Sequence, residues 1–318
     1  MAVRRLERSD LTDDLVRRVY DVMARCHAEA SAEEPYRSQA EAEAFLRHPP
    51  TSEARDYWVA GGAGTCAGFA QLAIVDGSSR GRVEVLVHPD HRRVGHGTAL
   101  LTAVQEQANL RGARTLVGRH ATTGGSRFAA VIGAVEDYLE VHSVLRLPLA
   151  EDLAIRPVDG YTLCSWVGAA PPELLDSYAR ARDAINDAPD GFDERELWSP
   201  ALVRDLEAAL DRRGRDIRVS VALDPNGRVV AFTELRVSRT EGAIAGTEDT
   251  AVVTSHRRRG LGRWVKLESL RGLQRDRPDV RMVTTSNAEK NRPMLELNRS
   301  LGFAPVTVYT TCVLELAG

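Results

Sequence analysis

Two short segments rich in arginine and glycine have the residue types of an anion-binding loop. HRRVGHG begins at His91, and HRRRGLG begins 165 positions later at His256. Glycines let successive backbone N–H groups converge on one point, and a helix that begins there adds partial positive charge. An arginine at the start of such a loop can add a charge-assisted contact to phosphate. The pattern R-x-x-G-x-G is formed by Arg92, Gly95 and Gly97 in the first copy and by Arg257, Gly260 and Gly262 in the second.

Neither loop has the residues of the two commonest nucleotide-binding motifs. A P-loop of the kinase type needs a lysine and then a serine or threonine after its last glycine, and neither copy has them. A dinucleotide-binding fingerprint needs G-x-G-x-x-G at the start of a parallel βαβ unit, and this pattern is also absent. One arginine-glycine turn can arise by chance, but two copies in the same context indicate a binding loop.

The same succession of elements surrounds each loop. A predicted hairpin lies upstream, DYWVAGGAGTCAGFAQLAIVDG in the first copy and IRVSVALDPNGRVVAFTELRVS in the second, where DPNG supplies the turn. A further strand, RVEVLVHP or TEDTAVVT, leads into the loop, and an amphipathic helix follows. We expect that helix to stop at Gly112 in the first copy and before Pro278 in the second. Another strand, RTLVGRH or RMVTTSN, comes next.

A repeat of this length indicates two duplicated domains. The chain of 318 residues has the length expected of two domains of about 150 residues each. Prolines and charges in LRLPLAEDLAIRPVDG mark a seam near residue 150, which divides the chain into residues 1–150 and 151–318. A helical segment precedes the hairpin in each half. The predicted fold class is therefore α/β, with a mixed, mostly antiparallel sheet and flanking helices, present twice.

The composition argues against several classes of partner. The 42 basic and 45 acidic residues leave a net charge of -3, so we expect no nucleic-acid partner. No apolar run approaches the roughly 18–20 residues of a membrane span, and the N-terminus lacks the apolar core of a signal peptide. We therefore expect a cytoplasmic protein without a membrane partner. The four cysteines are scattered, which predicts reduced thiols and no metal site.

The two loop regions resemble motif A of the GNAT acyltransferase superfamily. LVHPDHRRVGHGTALL and VVTSHRRRGLGRWVKL both have its strand, its [QR]-x-x-G-x-[GA] loop and its helix. The resemblance covers essentially the whole chain as two tandem domains, an arrangement similar to that of mycothiol synthases and of tandem GNATs from actinobacterial natural-product pathways. It implies a splayed pair of strands in each sheet and acetyl-CoA, or another short acyl-CoA, as the cofactor.

The resemblance also implies which residues contact that cofactor. The strand before each loop would lie beside the pantetheine arm, through Val85, Leu86 and Val87 in the first half and Thr250, Ala251 and Val252 in the second. The loops would hold the diphosphate, through Arg92, Arg93, Val94, Gly95, His96, Gly97 and Thr98 in the first half and Arg257, Arg258, Arg259, Gly260, Leu261, Gly262 and Arg263 in the second.

The second half continues with TTSNAEKNRPMLELNRSLGF, which resembles GNAT motif B. Asn291 is predicted to cap a helix that Gly302 ends. By resemblance, Asn291 contacts the pantetheine arm, while Asn287 either adds a second polar contact or caps a turn. The buried stripe of this helix is expected to consist of Met294, Leu297 and Leu301.

One residue departs from the family pattern. Seven residues after the asparagine, many GNATs place a tyrosine that protonates the departing thiolate, but this chain has Asn298. Tyr309, on the last predicted strand, is a candidate substitute, and an ordinary half-buried strand tyrosine is the alternative. In the first half, Thr122 stands where Asn291 would be and Ala129 where Asn298 would be. We therefore expect the first half to hold CoA, or only the fold, and not to turn over.

Acyl transfer to an amine needs a base and a stabilised oxyanion. The backbone N–H of Val252 is the candidate for the oxyanion. Glu248 ranks first as the base because strand alternation would place it on one face with Thr250 and Val252, and Glu234, on the preceding strand, ranks second. For either glutamate, a surface or structural role is the alternative.

The acceptor is expected to be a small-molecule amine. An acidic run in NDAPDGFDERELW would favour a cationic amine if it lines the cleft, and a solvated loop is the alternative. The run contains Asp187, Asp190, Asp193, Glu194 and Glu196. The sequence thus predicts an N-acyltransferase that uses acetyl-CoA. A mycothiol-synthase-like enzyme and a non-catalytic acyl-CoA-binding protein are the alternatives.

Overall fold

The computed structural model describes residues 2–31, 33–34, 36–49, 53–62, 64–154, 156–187, 197–239 and 243–316. The chain forms two compact units. The first comprises Met1–Leu139 and Thr307–Gly318, and the second comprises Glu140–Val306. Each unit contains a mixed sheet with flanking helices, which confirms the predicted fold class.

The first unit has a sheet with α-helices on both faces. Its strands are β1 (Val3–Leu6), β2 (Glu53–Ala60), β3 (Gly68–Val75), β4 (Arg80–Val87), β5 (Thr115–His120) and the greater part of β12 (Ala304–Glu315). Its helices are α1 (Asp13–Ala30), α2 (Gln39–Arg47), α3 (His96–Leu110) and α4 (Thr123–Val131). The strand order is β1-β2-β3-β4-β5-β12, with β4 and β5 parallel and the other described pairs antiparallel. Leu100 and Val104 of α3 pack against Leu72 on one face, and Val19 of α1 packs with Phe69 on the other.

The second unit repeats this plan. Its strands are the greater part of β6 (Val135–Arg146), then β7 (Thr162–Val167), β8 (Arg215–Leu223), β9 (Val229–Ser238), β10 (Ile244–Val252) and β11 (Met282–Ala288). Its helices are α5 (Pro172–Arg182), α6 (Pro200–Arg212), α7 (Leu261–Asp276) and α8 (Arg292–Ser300). The order is β6-β11-β10-β9-β8-β7, and β10 and β11 are the parallel pair. Leu267 of α7 packs against Leu235 on one face, and Tyr178 of α5 packs against Phe232 on the other.

The division between the units differs from the seam expected near residue 150. Residues 140–146 of β6 pair with β11, from Glu140 opposite Ala288 to Arg146 opposite Met282. Conversely, residues 310–315 of β12 pair with β5 of the first unit. Each half of the sequence therefore contributes its last long strand to the unit that the other half mainly forms. Strand pairing depends on register and on which face is apolar, and the composition near residue 150 reports neither.

Local signals set the ends of several elements as expected. The DPNG turn joins β8 to β9, with Gly227 N donating to Asp224 O at 2.9 Å. Gly112 follows α3 with a φ of 77°, and Gly302 follows α8 with a φ of 94°. Helix α7 ends at Asp276, before Pro278. In the described ranges, no helix is both long enough and apolar enough to cross a membrane.

Candidate functional site

The two parallel strands of the second unit separate as they approach the loop. β10 and β11 pair only from Ile244 opposite Met282 to Gly246 opposite Thr284. β10 stays paired with β9 as far as Val252. A gap therefore opens beside the last residues of β10, and the loop 257–263 follows them. The first unit has the same feature, because β4 and β5 pair only over residues 80–82 and 115–117.

The backbone of Val252 directs a donor into this gap. Val253 N donates to Val230 O on β9 at 2.9 Å. N–H groups alternate in direction along a strand, so the N–H of Val252 points away from β9 and toward β11. In the described ladder, β11 pairs with no residue of β10 beyond Gly246. This N–H can therefore donate to a ligand oxygen, as the sequence predicts for an oxyanion contact.

The two loops share one backbone conformation. Arg93 and Arg258 have φ values of 66° and 60°, and Gly95 and Gly260 have φ values of 91° and 84°. Left-handed residues inside a turn direct neighbouring N–H groups to one side and form an anion-binding concavity. Helices α3 and α7 begin directly after these glycines, so the N–H groups of their first turns have no acceptor within the helix. Both loops thus have the geometry of an anion cradle.

The first arginine of each loop, which is expected to contact phosphate, binds protein atoms in the structure. Arg257 Nε donates to Val252 O at 2.9 Å, and its Nη2 donates to Asp187 Oδ2 at 2.6 Å. Arg92 makes the equivalent bonds in the first unit, at 3.0 Å to the end of β4 and at 2.6 Å to Glu29. These arginines fasten the loop to the strand before it, and the backbone remains the anion-binding surface.

The second loop carries more positive charge than the first. Arg258 and Arg259 are exposed, and Arg263 is half-buried. The first loop has Val94 and Thr98 in place of Arg259 and Arg263. Two additional guanidinium groups around one cradle raise the local positive potential, so the second loop attracts a multiply charged anion more strongly.

Gly262 allows three elements to approach each other closely. A Cβ on this residue would lie 3.3 Å from Leu297 Cδ1 of α8 and 3.5 Å from Val252 Cγ2 of β10. In the first unit, a Cβ on Gly97 would lie 3.4 Å from Phe128 and 3.6 Å from Val87. A side chain at either glycine would enter the space beside the cradle. The residues present therefore fit a diphosphate bound by backbone N–H groups.

Asn291 caps α8 as the sequence predicts. Its Oδ1 accepts a hydrogen bond from Met294 N at 3.3 Å, and Pro293 lies in the first turn. The expected apolar stripe is only partly correct, because Leu301 is buried whereas Met294 and Leu297 are half-buried. The buried residue of the helix itself is polar: Asn298 is 2% exposed.

Asn298 is the middle of a buried hydrogen-bonded chain. Lys266 Nζ, on α7, donates to Asn298 Oδ1 at 2.5 Å. Asn298 Nδ2 in turn donates to Asn287 Oδ1, on β11, at 2.6 Å. The centroid of the Phe303 ring lies 5.1 Å from the lysine nitrogen. We call Lys266, Asn298 and Asn287 the polar chain. Within it, Asn298 occupies the position where the family resemblance leads one to expect a tyrosine.

Lys266 is the residue of this site that sequence reasoning missed. Burial lowers its pKa from 10.5 to about 7, because the ammonium has lost its water. Lys266 and Lys290 are the two lysines of a chain that otherwise uses arginine as its cation. A lysine among the apolar residues of the α7 pattern, Val265 and Leu267, was the available signal.

A β-bulge in β10 shows that the predicted orientation of the Glu248 side chain is wrong. Thr247 lies opposite Leu235 and Thr250 opposite Thr233, so Glu248 and Asp249 together oppose the one intervening residue of β9. The bulge breaks strict alternation. Glu248 reaches Arg236 at 3.4 Å, on the face that packs on α5.

The other residues of β10 confirm this division of faces. Thr250 points to the opposite face, where its hydroxyl lies 2.7 Å from that of Thr233. Asp249 turns to the α5 face, where Arg182 Nη2 donates to its Oδ2 at 2.8 Å. Glu248 therefore does not share a face with Thr250 and Val252.

Glu234 lies in the core of the unit and does not reach the gap. It is fully buried, pairs with Arg182, and accepts a hydrogen bond from Tyr178 Oη at 2.5 Å. The Arg182 guanidinium also stacks 3.6 Å from the Trp198 ring centroid. Burial raises the pKa of the Tyr178 hydroxyl far above its usual range. This arrangement argues against the predicted base role of Glu234, since a carboxylate paired with a buried arginine is not available to an amine.

Tyr309 belongs to the first unit. It lies on β12 directly before the residues that pair with β5, Thr310–Glu315, and the Arg119 guanidinium lies 4.4 Å from its ring centroid. The structure therefore does not place it among the residues of the second unit, where the substitute acid was expected.

The acidic run has one described member. Asp187 bonds to Arg257 and accepts a hydrogen bond from Thr254 Oγ1 at 2.9 Å, so it fixes the loop. Four further members of the run lie outside the described residues: Asp190, Asp193, Glu194 and Glu196.

The first unit has the cradle without the polar chain. Counting from the helix caps Thr122 and Asn291, Ala129 stands where Asn298 is and Gly118 stands where Asn287 is. Counting from the loop arginines, Leu101 stands where Lys266 is. In the described part of the chain, no group of His, Cys, Asp and Glu side chains is arranged to hold a metal ion.

Comparison with known proteins gives one consistent picture. A family model described as the acetyltransferase (GNAT) family matches residues 16–126. The mycothiol acetyltransferase of Thermomonospora curvata is 31% identical over 255 residues, which cover 77% of this chain and 77% of that protein. The mycothiol acetyltransferase of Kineococcus radiotolerans is 43% identical over 116 residues, which cover 33% of this chain and 38% of that protein.

Solved structures match along the full chain. A tandem GNAT protein from the clavulanic acid biosynthesis pathway, solved without AcCoA, superposes with a TM-score of 0.84 at 28% identity and covers 100% of this chain and 99% of its own. A GCN5-related N-acetyltransferase from Sphaerobacter thermophilus superposes with a TM-score of 0.70 at 20% identity and covers 100% of this chain and 96% of its own. The second likeness is evidence of fold alone.

Proposed function

The chain belongs to the acetyltransferase (GNAT) family, and from that premise we propose that its second unit transfers an acetyl group from acetyl-CoA to the amine of a small molecule. The observation that carries the proposal is the open gap beside Val252, which has a backbone donor pointing into it and an anion cradle at its end. We propose that the first unit retains the cradle and the fold without turnover.

Three differences between the units support this assignment. The second loop has two more arginines than the first. β10 has a bulge at Glu248 and Asp249, whereas the described ladder of β4 with β3 runs without a register shift. The polar chain occurs in the second unit, and Leu101, Ala129 and Gly118 occupy its positions in the first. Bulges often re-aim side chains beside active sites.

The proposed reaction assigns a role to each part of the gap. Acetyl-CoA supplies an activated acyl thioester. Transfer forms a C–N bond at the amine and breaks the C–S bond, with the electron pair leaving on sulfur. The Val252 N–H donates to the carbonyl oxygen as negative charge develops there. A thiolate whose thiol has a pKa of about 8.5 is a tolerable leaving group, and it takes its proton from water after release.

Glu248 is the proposed base. Its side chain is 37% exposed and lies beside the bulge, whereas Asp249 is held by Arg182. The carboxylate would accept the proton of the attacking ammonium, directly or through one water molecule. Arg236, at 3.4 Å, keeps the carboxylate in place.

Mycothiol acetylation is a second, more specific candidate. The sequence similarity to mycothiol acetyltransferases over 255 residues favours it, because that similarity spans most of both proteins. The acceptor would then be the amine of a cysteinyl pseudo-disaccharide. Asn298 instead of tyrosine argues against simple equivalence with those enzymes.

The first experiment measures thiol release. Protein, acetyl-CoA and a panel of amines, including amino sugars, polyamines and the cysteinyl pseudo-disaccharide precursor of mycothiol, are mixed and free CoA thiol is monitored. We expect release with at least one amine and none in its absence. Binding of acetyl-CoA without thiol release across the panel would instead support an acyl-CoA-binding protein without turnover.

The second experiment tests the cradle with Gly262→Asp. Aspartate is favourable in the first turn of a helix, but its carboxylate would repel a diphosphate bound there. We expect turnover to fall at least about 100-fold, which corresponds to about 2.8 kcal/mol of repulsion at about 1.4 kcal/mol for each factor of ten. Gly97→Asp in the first loop should reduce turnover far less.

Gly124→Asp is the matched control for Gly262→Asp. Gly124 is exposed and is the second residue of α4, as Gly262 is the second residue of α7. It should retain the activity of the unmodified protein. Equal losses in Gly97→Asp and Gly262→Asp would contradict the assignment of turnover to the second unit.

A further inference from the structure

We propose that the polar chain presents Asn287 as a hydrogen-bond donor to a carbonyl oxygen of the acyl-CoA arm. The proposal rests on the proposed function, because it requires the arm to lie in the gap between β10 and β11. Lys266 and Asn298 are positioning residues, and Asn287 is the residue that touches the ligand.

Hydrogen-bond polarity fixes the direction of the chain. A lysine ammonium has donors only, so Asn298 must turn its Oδ1 toward Lys266. The Nδ2 of Asn298 then donates to Asn287, which must accept through its Oδ1. The Nδ2 of Asn287 is left as the outward end of the chain. Two amide orientations that are otherwise interchangeable are therefore set by Lys266 in its protonated form, which its pKa of about 7 makes the principal form below about pH 7.

Asn287 is the member of the chain that reaches the gap. Lys266 and Asn298 are 1% and 2% exposed, whereas Asn287 is half-buried. Along β11, Asn287 alternates with Val283 on the face toward α7, three residues beyond the last pairing with β10 at Thr284. Its amide therefore lies where β11 has already separated from β10.

The first unit supports a functional purpose for the chain. Leu101, Ala129 and Gly118 fill the same three positions there, and Leu101 is part of an apolar core. A buried lysine, a buried amide and a half-buried amide cost stability that an apolar set avoids. The lowered pKa of Lys266, about 7, reflects that cost, which comes from burial. In the second unit, the polar chain lowers stability at the position where β10 and β11 separate.

A donor at this place selects its ligand by chemistry. Asn287 Nδ2 can bind a carbonyl oxygen, such as those of the amides and the thioester in an acyl-pantetheine arm, and it cannot bind an ammonium or an amide N–H. The adenosine end of the cofactor has no part in this contact. The contribution should therefore appear with acetyl-CoA and vanish with 3′,5′-ADP, which lacks the arm.

The test uses Asn287→Asp, which keeps the inward bond and removes the outward donor. Aspartate still accepts from Asn298 Nδ2 but has no N–H to offer. Calorimetric titration of the full chain with acetyl-CoA and with 3′,5′-ADP is done in a Gly97→Asp background, so that the 5′-phosphate groups of either ligand are held only by the second loop. We expect the Kd for acetyl-CoA to rise at least about tenfold and the Kd for 3′,5′-ADP to change less than about twofold.

Two further variants refine the test. Asn298→Asp keeps a partner for Lys266 but can no longer donate, so Asn287 loses its fixed orientation and acetyl-CoA affinity should fall by about threefold or more. Asn226→Asp, in the exposed turn between β8 and β9, adds the same charge away from the gap and should leave both affinities unchanged.

The outcomes separate this inference from the proposed function. If acetyl-CoA and 3′,5′-ADP bind the reference protein but Asn287→Asp leaves acetyl-CoA affinity unchanged, the inference is wrong and the proposed function stands. Equal weakening of both ligands would also overturn it, because it would reflect local disruption or charge. If neither ligand binds the reference protein, that result contradicts both the proposed function and the inference.

Discussion

Lys266 is a cation held out of water, and its charge state is coupled to folding. Its pKa is about 7 in the folded protein, whereas a lysine exposed to water in the unfolded chain has the ordinary value of 10.5. Between these two values the unfolded chain binds more protons, so the free energy of unfolding must rise with pH across this window. Below about pH 7 both states are protonated and the full penalty of burial applies.

Lys266→Met should remove this pH dependence. The difference in the free energy of unfolding between the unmodified protein and the variant should change by about 2 kcal/mol between about pH 7.5 and about pH 9, in favour of the unmodified protein at the higher pH. Urea unfolding at the two pH values measures it. Lys290→Met, at an exposed position, is the control and should show no such change. Parallel pH profiles for Lys266→Met and its parent would show that the lysine is not held in a desolvated site.

Single residues were predictable where a local rule decides them. Asn291 caps α8 and Gly302 ends it because an N-cap oxygen and a left-handed glycine act within one turn. Glu234 was assigned a role that the structure does not support, and the bond of Arg257 to Asp187 was not foreseen, because the partners Arg182 and Asp187 lie 52 and 70 positions away. Contacts between residues so far apart in the chain cannot be inferred from the neighbouring sequence.

The loop depends on a backbone conformation that most side chains disfavour. Gly260 has a φ of 84°, and the space around it is open to 4 Å, so conformation and not packing requires glycine there. Gly260→Ala should lower the free energy of unfolding by about 1–2 kcal/mol, because a Cβ disfavours the left-handed region. Thermal or urea unfolding measures the change.

Gly124→Ala provides the matched control for the loop. Gly124 lies in α4, and a Cβ there would have its nearest contact at 3.9 Å, from Thr122 Oγ1. Alanine at this position should stabilise the protein by about 0.5–1 kcal/mol or leave it unchanged. A Gly260→Ala protein as stable as its parent would mean that the loop does not hold the left-handed conformation.

At the scale of elements, periodicity predicted most helices and strands but not their exceptions. The helix over Asp13–Ala30 and the hairpin turn at DPNG follow from apolar spacing and turn chemistry. The bulge at Glu248 and Asp249 does not, because it depends on how β10 fits against β9 across the sheet. For that reason the predicted face of the Glu248 side chain was wrong.

At the scale of the whole molecule, the exchange of β6 and β12 is the feature that sequence composition could not reveal. Residues 310–315 pair with β5 of the first unit, where Leu314 joins the core of Leu72 and Leu100. Removing residues 307–318 should therefore expose amides of β5 and the first core to hydrogen exchange. Amides of β8, β9 and α7 should keep their protection.

Hydrogen exchange read by mass spectrometry distinguishes the units in that truncated chain. A chain that lacks only residues 317 and 318 is the control and should exchange like the full-length protein. Loss of protection confined to the second unit, or no loss in either, would contradict the assignment of β12 to the first unit.

The family likeness and the proposed activity lie partly in different units. The GNAT family model matches residues 16–126, within the first unit, whereas the polar chain and the additional loop arginines lie in the second. Both units share the cradle and the separated strands, which are the features of fold. They differ in the residues beside the gap, and the proposed assignment of turnover to the second unit rests on that difference.

A crystal structure of the complex with acetyl-CoA tests the central claim most directly. We expect the diphosphate oxygens to accept hydrogen bonds from the backbone N–H groups of residues 258–263, with the pantetheine arm beside residues 250–252. A diphosphate bound away from that loop, or bound only at the loop of the first unit, would contradict the proposed site of acyl transfer.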